Sequence, residues 1–511
     1  MASYAVRERD GSGRVIAVYS SGGGPATTEN GTANPKAGNR RSNWRRVLSD
    51  VFLPEGYPST VSSDYLQYQV WNALQAFCSS LASLFASRAV LQGHGVGNAS
   101  ASATNAIFLT VLQDVFSRLT TIVAGYYLGT SLYPEAKTYR LLADILNDAA
   151  IICDTLSPHL AHISISFAYP FFAPASDSSL RIVALCMSGA FRSLCGAVAG
   201  GSKAALTVHF ATAGERPGDV GDLSAKDGSK ETVLALLGML CGSVVLHYVH
   251  SARTTYLVLF GLIFCHLAAN VIAVRVIAMR TFNRQRASIA WNSFRASFDE
   301  DGNGTGKSRV PDYVAVSRRE YIFPNPAWIS SPSHGCTANA HCALGVPFST
   351  ISGSTLRSKG VWSIFASTEP GTPHRMTNEQ VATCLKLFAD EKYILWYAAH
   401  SASTARSTPP SLAIVLKDGH SPHDHLKAWA HAHEVARLSR GRRPSSFDAQ
   451  LIVVRDALAR TSRMFPSFLD AAQAAGWKTE EGALVGGSPV TIAVDTLQAD
   501  GVSILEDKKS I

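Results

Sequence analysis

Residues 232–249 and 254–274 of this chain contain no Asp, Glu, Lys or Arg, and only four residues separate the two stretches. An α-helix needs about 20 apolar residues to cross a ~30 Å hydrocarbon core, and the second stretch meets that length. The pair therefore predicts a helical hairpin over 232–274 that is embedded in a membrane. Lys226 and Lys230 precede it, and Arg275, Arg280, Arg284 and Arg286 follow. Basic flanks favour the cytosolic face, or its organellar equivalent, so both ends of the hairpin are expected there. His247, His266 and Asn270 are polar, and a bundle interior accommodates them.

The same texture extends over much of the chain. Only 16% of its 511 residues are charged, against about 25% in an ordinary soluble domain. A capping Ser62 or Ser63 starts a helix near Asp64 that Gly93 stops, with Arg88 its only later charge. A second helix is expected over 103–128, a third from Pro134 to just before Ser157-Pro158, and a fourth from Leu180 to about Gly200. Gly196 and Gly200 would let helix backbones approach closely. After Arg286 the composition becomes that of a soluble unit. Helices are expected over 381–388, 422–438 and 447–475, with strands over 393–397, 412–416 and 489–494. The fold class is mainly α, a membrane-associated helical core followed by a small α+β C-terminal domain. Its divisions are a disordered basic tail at 1–46, the core at 47–290, linker and inserts at 291–380, and the α+β domain at 381–511.

Several chemistries are disfavoured. Nine cysteines without regular spacing do not form a disulfide framework. Gly93, Gly95 and Gly97 follow a helix, so they lack the strand that a dinucleotide fingerprint requires. Asp299, Asp301, Asn303 and Gly304 copy the start of a calcium loop, but Val310 stands where the closing Glu belongs. His334, Cys336, His341 and Cys342 match no zinc spacing. His420, His423, His425, His431 and His433 read as a solvated helix face, and no catalytic constellation is legible.

The informative residues are charges inside apolar helices. Asp114 and Arg118 are four apart and can pair; Arg140, Asp144, Asn147 and Asp148 share one face of their helix. Such charges mark a buried structural network or a ligand site. With His209 and Lys226 they give the candidate polar site: Asp114, Arg118, Arg140, Asp144, Asp148, His209 and Lys226. A phosphate-bearing ligand would want Arg118, Arg140, Lys203 or Lys226.

The blocks LPEGYPSTVSSDYLQYQVWNALQ, LQGHGVG, KTYRLLADILNDAA, TVHFA and LSAKDGSKET resemble, in order and spacing over about residues 47–290, the Root UVB Sensitive (RUS) family, whose core is a vitamin B6 photoprotection and homeostasis domain. FNRQRASIAWNSF, SRREYIF and LKDGHSPHDHLKAWAHAH resemble its C-terminal part. Asn72, Lys203 and Lys230 depart from the family's usual Asp, Arg and Gln. The resemblance implies a non-enzymatic, integral, multi-pass membrane protein linked to vitamin B6 status and UV-B tolerance, with no catalytic residue. Pyridoxal phosphate or a related vitamer is the ligand it brings in, although no cofactor is established for the family. The partners expected are the bilayer and a homo- or hetero-oligomer with a RUS-family protein, and not nucleic acid. The alternative is a helical interaction scaffold or, less in keeping with the residues, an enzyme using pyridoxal phosphate.

Overall fold

Six long helices, alternating in direction, form the first of the two units into which the chain divides in a computed structural model. The structure describes residues 5–9, 15–20, 51–96, 103–129, 132–160, 179–300, 309–325, 327–329, 340–353, 375–398, 410–439, 443–482, 484–487 and 489–494. The first unit ends at Arg280 and adds Tyr313–Pro324; the second comprises Thr281–Asp312 and Asn325–Ile511.

In the first unit, α1 is Tyr65–Gly93, α2 Ala103–Leu128 and α3 Ala136–Leu160. Then come α4 at Ser179–Thr212, α5 at Val220–Tyr248 and α6 at Ala252–Val276. All but α3 are long and apolar enough to cross a membrane. Contacts fix the directions. Asp64, just before α1, meets His209 at the end of α4 and the backbone of Ala278, just past α6. Tyr65 meets Asp227 near the start of α5, and at the other end of the bundle Arg88 donates to the Val249 carbonyl at 2.8 Å. Thus α1, α3 and α5 run one way and α2, α4 and α6 the other. Helix α1 packs on α3, α5 and α6, while α2 packs on α4.

The bundle is apolar outside and holds a polar layer within an otherwise hydrophobic core. Phe108, Ile122 and Tyr126 of α2, Leu240 and Val244 of α5, and Leu257 and Phe264 of α6 are exposed. Arg140, Asp144, Asp148, His266 and Asn270 are buried. This inverts the pattern of a soluble domain and suits a hydrocarbon surround. Close approach of α1 and α5 depends on Gly238, where an added Cβ would lie 2.6 Å from the Ser80 Cβ.

Two helix ends and one packing expectation differ from the sequence reading. Helix α3 continues through Pro158, which lies in its last turn. Proline leaves the Asp154 carbonyl without its helical N–H, and the Ser157 hydroxyl donates to that oxygen at 2.9 Å. Helix α4 runs on to Thr212, and at Gly201 the Leu132 side chain lies where a Cβ would otherwise stand. Gly196 and Gly200 have nothing within 4 Å of an added Cβ, so they do not pack helices within this unit.

Disorder throughout 1–46 is also corrected: Ala5–Arg9 (β1) and Val15–Ser20 (β2) pair antiparallel. The run Val15-Ile16-Ala17-Val18-Tyr19 has the β-branched and aromatic character that favours pairing. The basic cluster at 40–46 lies outside the described residues.

In the second unit, α7 is Arg284–Glu300, and α8 at Tyr313–Arg319 belongs to the first. A sheet of β3 (Trp328–Ile329), β4 (Ala340–Leu344), β5 (Tyr393–Tyr397), β6 (Ser411–Lys417) and β7 (Thr491–Ile492) follows. Its order is β3-β4-β6-β5, with β7 also on β6; β4 and β7 are parallel to β6, and β5 is antiparallel. The short α9 (Ser349–Ser352) and α10 (Asn378–Leu387) precede α11 (Pro422–Leu438) and α12 (Phe447–Ala474). The start of α11 is fixed by Ser421 and Asp424, which cap each other's backbone N–H groups with Pro422 at the first position.

The solvated histidine face is overturned. His425, His431 and His433 are buried, because α11 packs against β5, α7 and α12 and has little free surface. His431 accepts or donates at both ring nitrogens, to Tyr393 and to the Val454 carbonyl, and His433 meets the Ser288 hydroxyl at 2.9 Å. Of the calcium motif, 301–308 lie outside the described residues, as do His334, Cys336 and Gly97; Cys342 is buried in β4. Among the described residues, no three His, Cys, Asp or Glu side chains are grouped to hold a metal ion.

Candidate functional site

The polar layer in the middle of the first unit is built by α1, α3 and α6. A helix places residues three or four apart on one face. Asn72 and Gln75 of α1, Arg140, Asp144 and Asp148 of α3, and His266 and Asn270 of α6 use that spacing to converge. Arg140 donates from Nη1 to Asp144 Oδ1 and from Nη2 to Asn72 Oδ1, both at 3.1 Å, and from Nε to the Tyr68 hydroxyl at 3.4 Å. Gln75 Nε2 donates to the same Asn72 oxygen at 3.0 Å. His266 lies between Asp148 Oδ2 at 2.8 Å and Gln75 Oε1 at 2.9 Å. Asn270 Nδ2 is 3.4 Å from Gln75 Oε1 and 3.3 Å from the His266 carbonyl.

Nearly every polar atom in this layer has a partner. The exceptions are Asp144 Oδ2 and Asp148 Oδ1, buried carboxylate oxygens without a hydrogen bond, of which Asp144 Oδ2 still has Arg140 Nη1 at 3.1 Å as an ion-pair partner. Two such atoms in a low-dielectric interior are costly and mark a place where a proton, a cation or an N–H donor can bind.

A second cluster lies nearer the start of α1. Asp227 of α5 accepts from Gln69 at 2.9 Å and from Tyr65 at 3.3 Å, and Lys230 stands 2.8 Å from both Asp227 and the Tyr65 hydroxyl. Lys203 pairs with Glu231 at 2.8 Å. On the opposite side, Arg192 holds Asp154 at 2.5 Å. Lys137 of α3 is fastened to Glu320 at 2.6 Å.

The seven residues singled out in the sequence thus separate. Arg140, Asp144 and Asp148 come together in the central layer. His209 pairs with Asp64 at 3.1 Å, at the bundle end. Lys226 is half-buried on α5. Asp114 and Arg118 do not pair: both are exposed, because α2 turns only its other side to α4. Of the cations considered for a phosphate, Arg140 is already engaged by three groups and Lys203 by Glu231. The missed contributors are Tyr68 and Gln75. The i,i+3 spacing of Asn72 and Gln75, facing the i,i+4 spacing of His266 and Asn270, is the signal that carries them.

Residues 38–297 match the sequence family described as the vitamin B6 photo-protection and homoeostasis domain. RUS family member 1 of Dictyostelium discoideum is 34% identical over 258 residues, which cover 50% of this chain and 45% of that protein. The chain therefore spans under half the length of that relative in this alignment. Protein root UVB sensitive 3 of Arabidopsis thaliana is 28% identical over 438 residues, 86% of this chain and 84% of the relative. Protein root UVB sensitive 2, chloroplastic, from the same plant is 22% identical over 430 residues, 84% of this chain and 81% of the relative. No solved structure matches the chain. The family match covers half of the chain, including every residue of the central polar layer, and the chain belongs to the root UVB sensitive family.

Proposed function

We propose that this chain is an integral, multi-pass membrane protein, not an enzyme, and that it binds or moves a small polar molecule through the helical unit in vitamin B6-linked homeostasis. The observation that carries this reading is the layer of four ionisable side chains, Arg140, Asp144, Asp148 and His266, each at most 9% exposed, inside helices whose outward faces are apolar. Ionisable groups at such depth lie on ligand or ion pathways. The family's domain name supplies the ligand class, a vitamin B6 vitamer or its phosphate.

The experiment is uptake of radiolabelled pyridoxine, pyridoxal and pyridoxal phosphate into vesicles reconstituted with the full chain. Saturable uptake of one of them that Asp148→Asn abolishes supports the reading. Absence of both uptake and binding for all three, by protein that resists alkaline carbonate extraction, overturns it.

A second reading, an assembly of two copies through α2, is favoured by a specific observation. Asp114 and Arg118 lie midway along a span-length helix and are exposed among Val111, Val115, Phe116 and Leu119. Unpaired charges facing lipid at that depth are costly. A two-fold axis beside α2 would set Asp114 of each copy against Arg118 of the other, since an isologous contact is self-complementary.

A further inference from the structure

His266 has an oxygen acceptor at each ring nitrogen, and the direction of those hydrogen bonds follows from Arg140. A guanidinium only donates. The atom of Asn72 facing Arg140 Nη2 at 3.1 Å is therefore its carbonyl oxygen, not its amide nitrogen. That oxygen also faces Gln75 at 3.0 Å, so Gln75 must present its NH2 group there. The Gln75 carbonyl is then turned to His266 Nε2 at 2.9 Å, where only an N–H can meet it. The other ring nitrogen, Nδ1, faces the Asp148 carboxylate at 2.8 Å. Asn270 Nδ2 also lies 3.2 Å from Nε2, but the Gln75 carbonyl is the closer partner of that nitrogen at 2.9 Å, and the two amide hydrogens of Asn270 have the Gln75 carbonyl and the His266 backbone carbonyl to meet. The ring is thus doubly protonated against a carboxylate, or shares its Nδ1 proton with it. In either case the pair holds one proton more than a neutral imidazole beside a carboxylate.

Charge balance agrees. Arg140 and His266 offset Asp144 and Asp148, so the buried layer is neutral with that proton and carries one net negative charge without it. The other titratable groups that face the layer are Tyr68 on α1, Cys195 on α4 and Glu231 on α5, with Asp227 acting on Tyr68 and Arg192 on Cys195; Glu231, Asp227 and Arg192 are each paired, with Lys203, Lys230 and Asp154. None replaces the lost charge.

We propose that Asp148 and His266 form a proton-exchange site, and that Asp144 Oδ2 and Asp148 Oδ1 receive a cationic N–H donor when the proton leaves. The proton on the imidazole–carboxylate pair departs to water, and a ligand bringing one positive charge restores neutrality. Both carboxylate oxygens are buried without a hydrogen bond, and while Asp144 Oδ2 has the Arg140 guanidinium 3.1 Å away, Asp148 Oδ1 has no cation on it, so the ligand class is a monocation with N–H groups, an amine or a protonated pyridine, that meets Asp148 first. The inference deepens the proposed function and rests on it for the identity of the ligand, but the protonation of His266 stands by itself.

The test is the 15N NMR spectrum of the detergent-solubilised full chain labelled at histidine, with the His266 signals assigned by their loss in His266→Gln. The expected result at neutral pH is an imidazolium signature at His266, lost in Asp148→Asn as the ring becomes neutral. A neutral ring in the unaltered chain overturns the proposal, and that measurement needs no variant to fold. Vesicles loaded with the pH dye pyranine then report exchange: external pyridoxamine should raise dye-reported proton release in the unaltered chain and leave Asp148→Asn at the protein-free rate. Vitamer uptake with a neutral His266 would overturn the proton site while sparing the proposed function. An imidazolium at His266 with neither uptake nor binding of any vitamer would do the reverse.

Discussion

The Asp64 carboxylate lies 3.1 Å from the His209 imidazole, and that contact joins the residue that starts α1 to the last turn of α4. The other links of Asp64 extend the joint: it accepts the Ala278 backbone N–H at 2.8 Å, just past α6, and the Ser62 hydroxyl. Burial pushes the carboxyl up, but the His209 contact, the Ser62 hydroxyl and the Ala278 N–H outweigh it and hold Asp64 below its ordinary value.

A carboxyl whose folded value is depressed contributes stability above its unfolded value, and that contribution is lost as pH falls through the folded value. Asp64→Asn should therefore lower thermal stability at neutral pH by about 2 kcal/mol, the size of a charge-assisted hydrogen bond at a buried site. The difference between the variant and the unaltered chain should shrink below about pH 4, near the unfolded carboxyl value. Unfolding of both proteins in detergent from pH 3 to 8 checks this.

Close packing at Gly238 leads to a second expectation. A Cβ there meets Ser80 Cβ at 2.6 Å and the Phe77 carbonyl at 3.1 Å, so Gly238→Val forces α1 and α5 apart. Overpacking of this kind costs about 1–3 kcal/mol. Gly196→Ala should be silent in the same melting assay, because nothing lies within 4 Å of its Cβ.

If α2 is the contact between two copies, Asp114→Arg should weaken dimerisation by setting like charges together, and so should Arg118→Asp. The double exchange restores complementary pairs and should restore the dimer. Light scattering of the solubilised protein reads the result, and a monomer in the unaltered chain sinks the assembly reading.

In the second unit, His431 and His433 are both pushed down to about 3, by burial in each case. Their folded values lie below the unfolded value near 6.5, so the unfolded chain takes up protons first as pH falls. His425 is pushed down as well, to about 4, by burial and by His420, so stability of this unit should decline below about pH 6 by about 4 kcal/mol per pH unit for three groups, until they protonate. His433→Gln should remove about a third of that slope, measured by Trp fluorescence in denaturant titrations of the full chain.

Much of this architecture is legible in the residues. The strand Tyr393–Tyr397 and the helix Pro422–Leu438 begin and end where their pattern and caps say, and the apolar hairpin is visible from its missing charges. Burial of the α11 histidines is not legible, because it is set by β5, α7 and α12, which are distant in sequence. The same holds for the polar layer. Arg140, Asp144 and Asp148 mark themselves by sitting in an otherwise apolar helix, while Gln75 acquires its role only when α6 brings His266 against it. Asp114 and Arg118 carry the same local signal as the central charges, and only the packing of α2 shows that they face outward.

The number of crossings is decided by α3. Its charges, Lys137, Arg140, Asp144, Asp148 and Asp154, set it apart from the five span-like helices, but all five of these side chains are buried. The face carrying Arg140, Asp144 and Asp148 is turned inward onto α1 and α6, so hydrocarbon would meet only the rest of the helix. Its 25 residues extend about 37 Å at 1.5 Å per residue, enough to cross. If the helical unit lies in a bilayer, the alternating directions of its helices also require α3 to traverse it, since α2 ends at the end of the bundle where α1 starts and α4 begins at the other. Six crossings place residues 133 and 215 on one side of the membrane and residues 159 and 251 on the other. With five, the α3 ends would share a side. Cysteines introduced singly at Tyr133, His159, Glu215 and Ser251 in a chain cleared of its own thiols should divide in that way towards a membrane-impermeant maleimide. Labelling of His159→Cys from the same side as Tyr133→Cys would exclude α3 as a span, and with it the central placement of Asp144 and Asp148 on which the proton-exchange site depends.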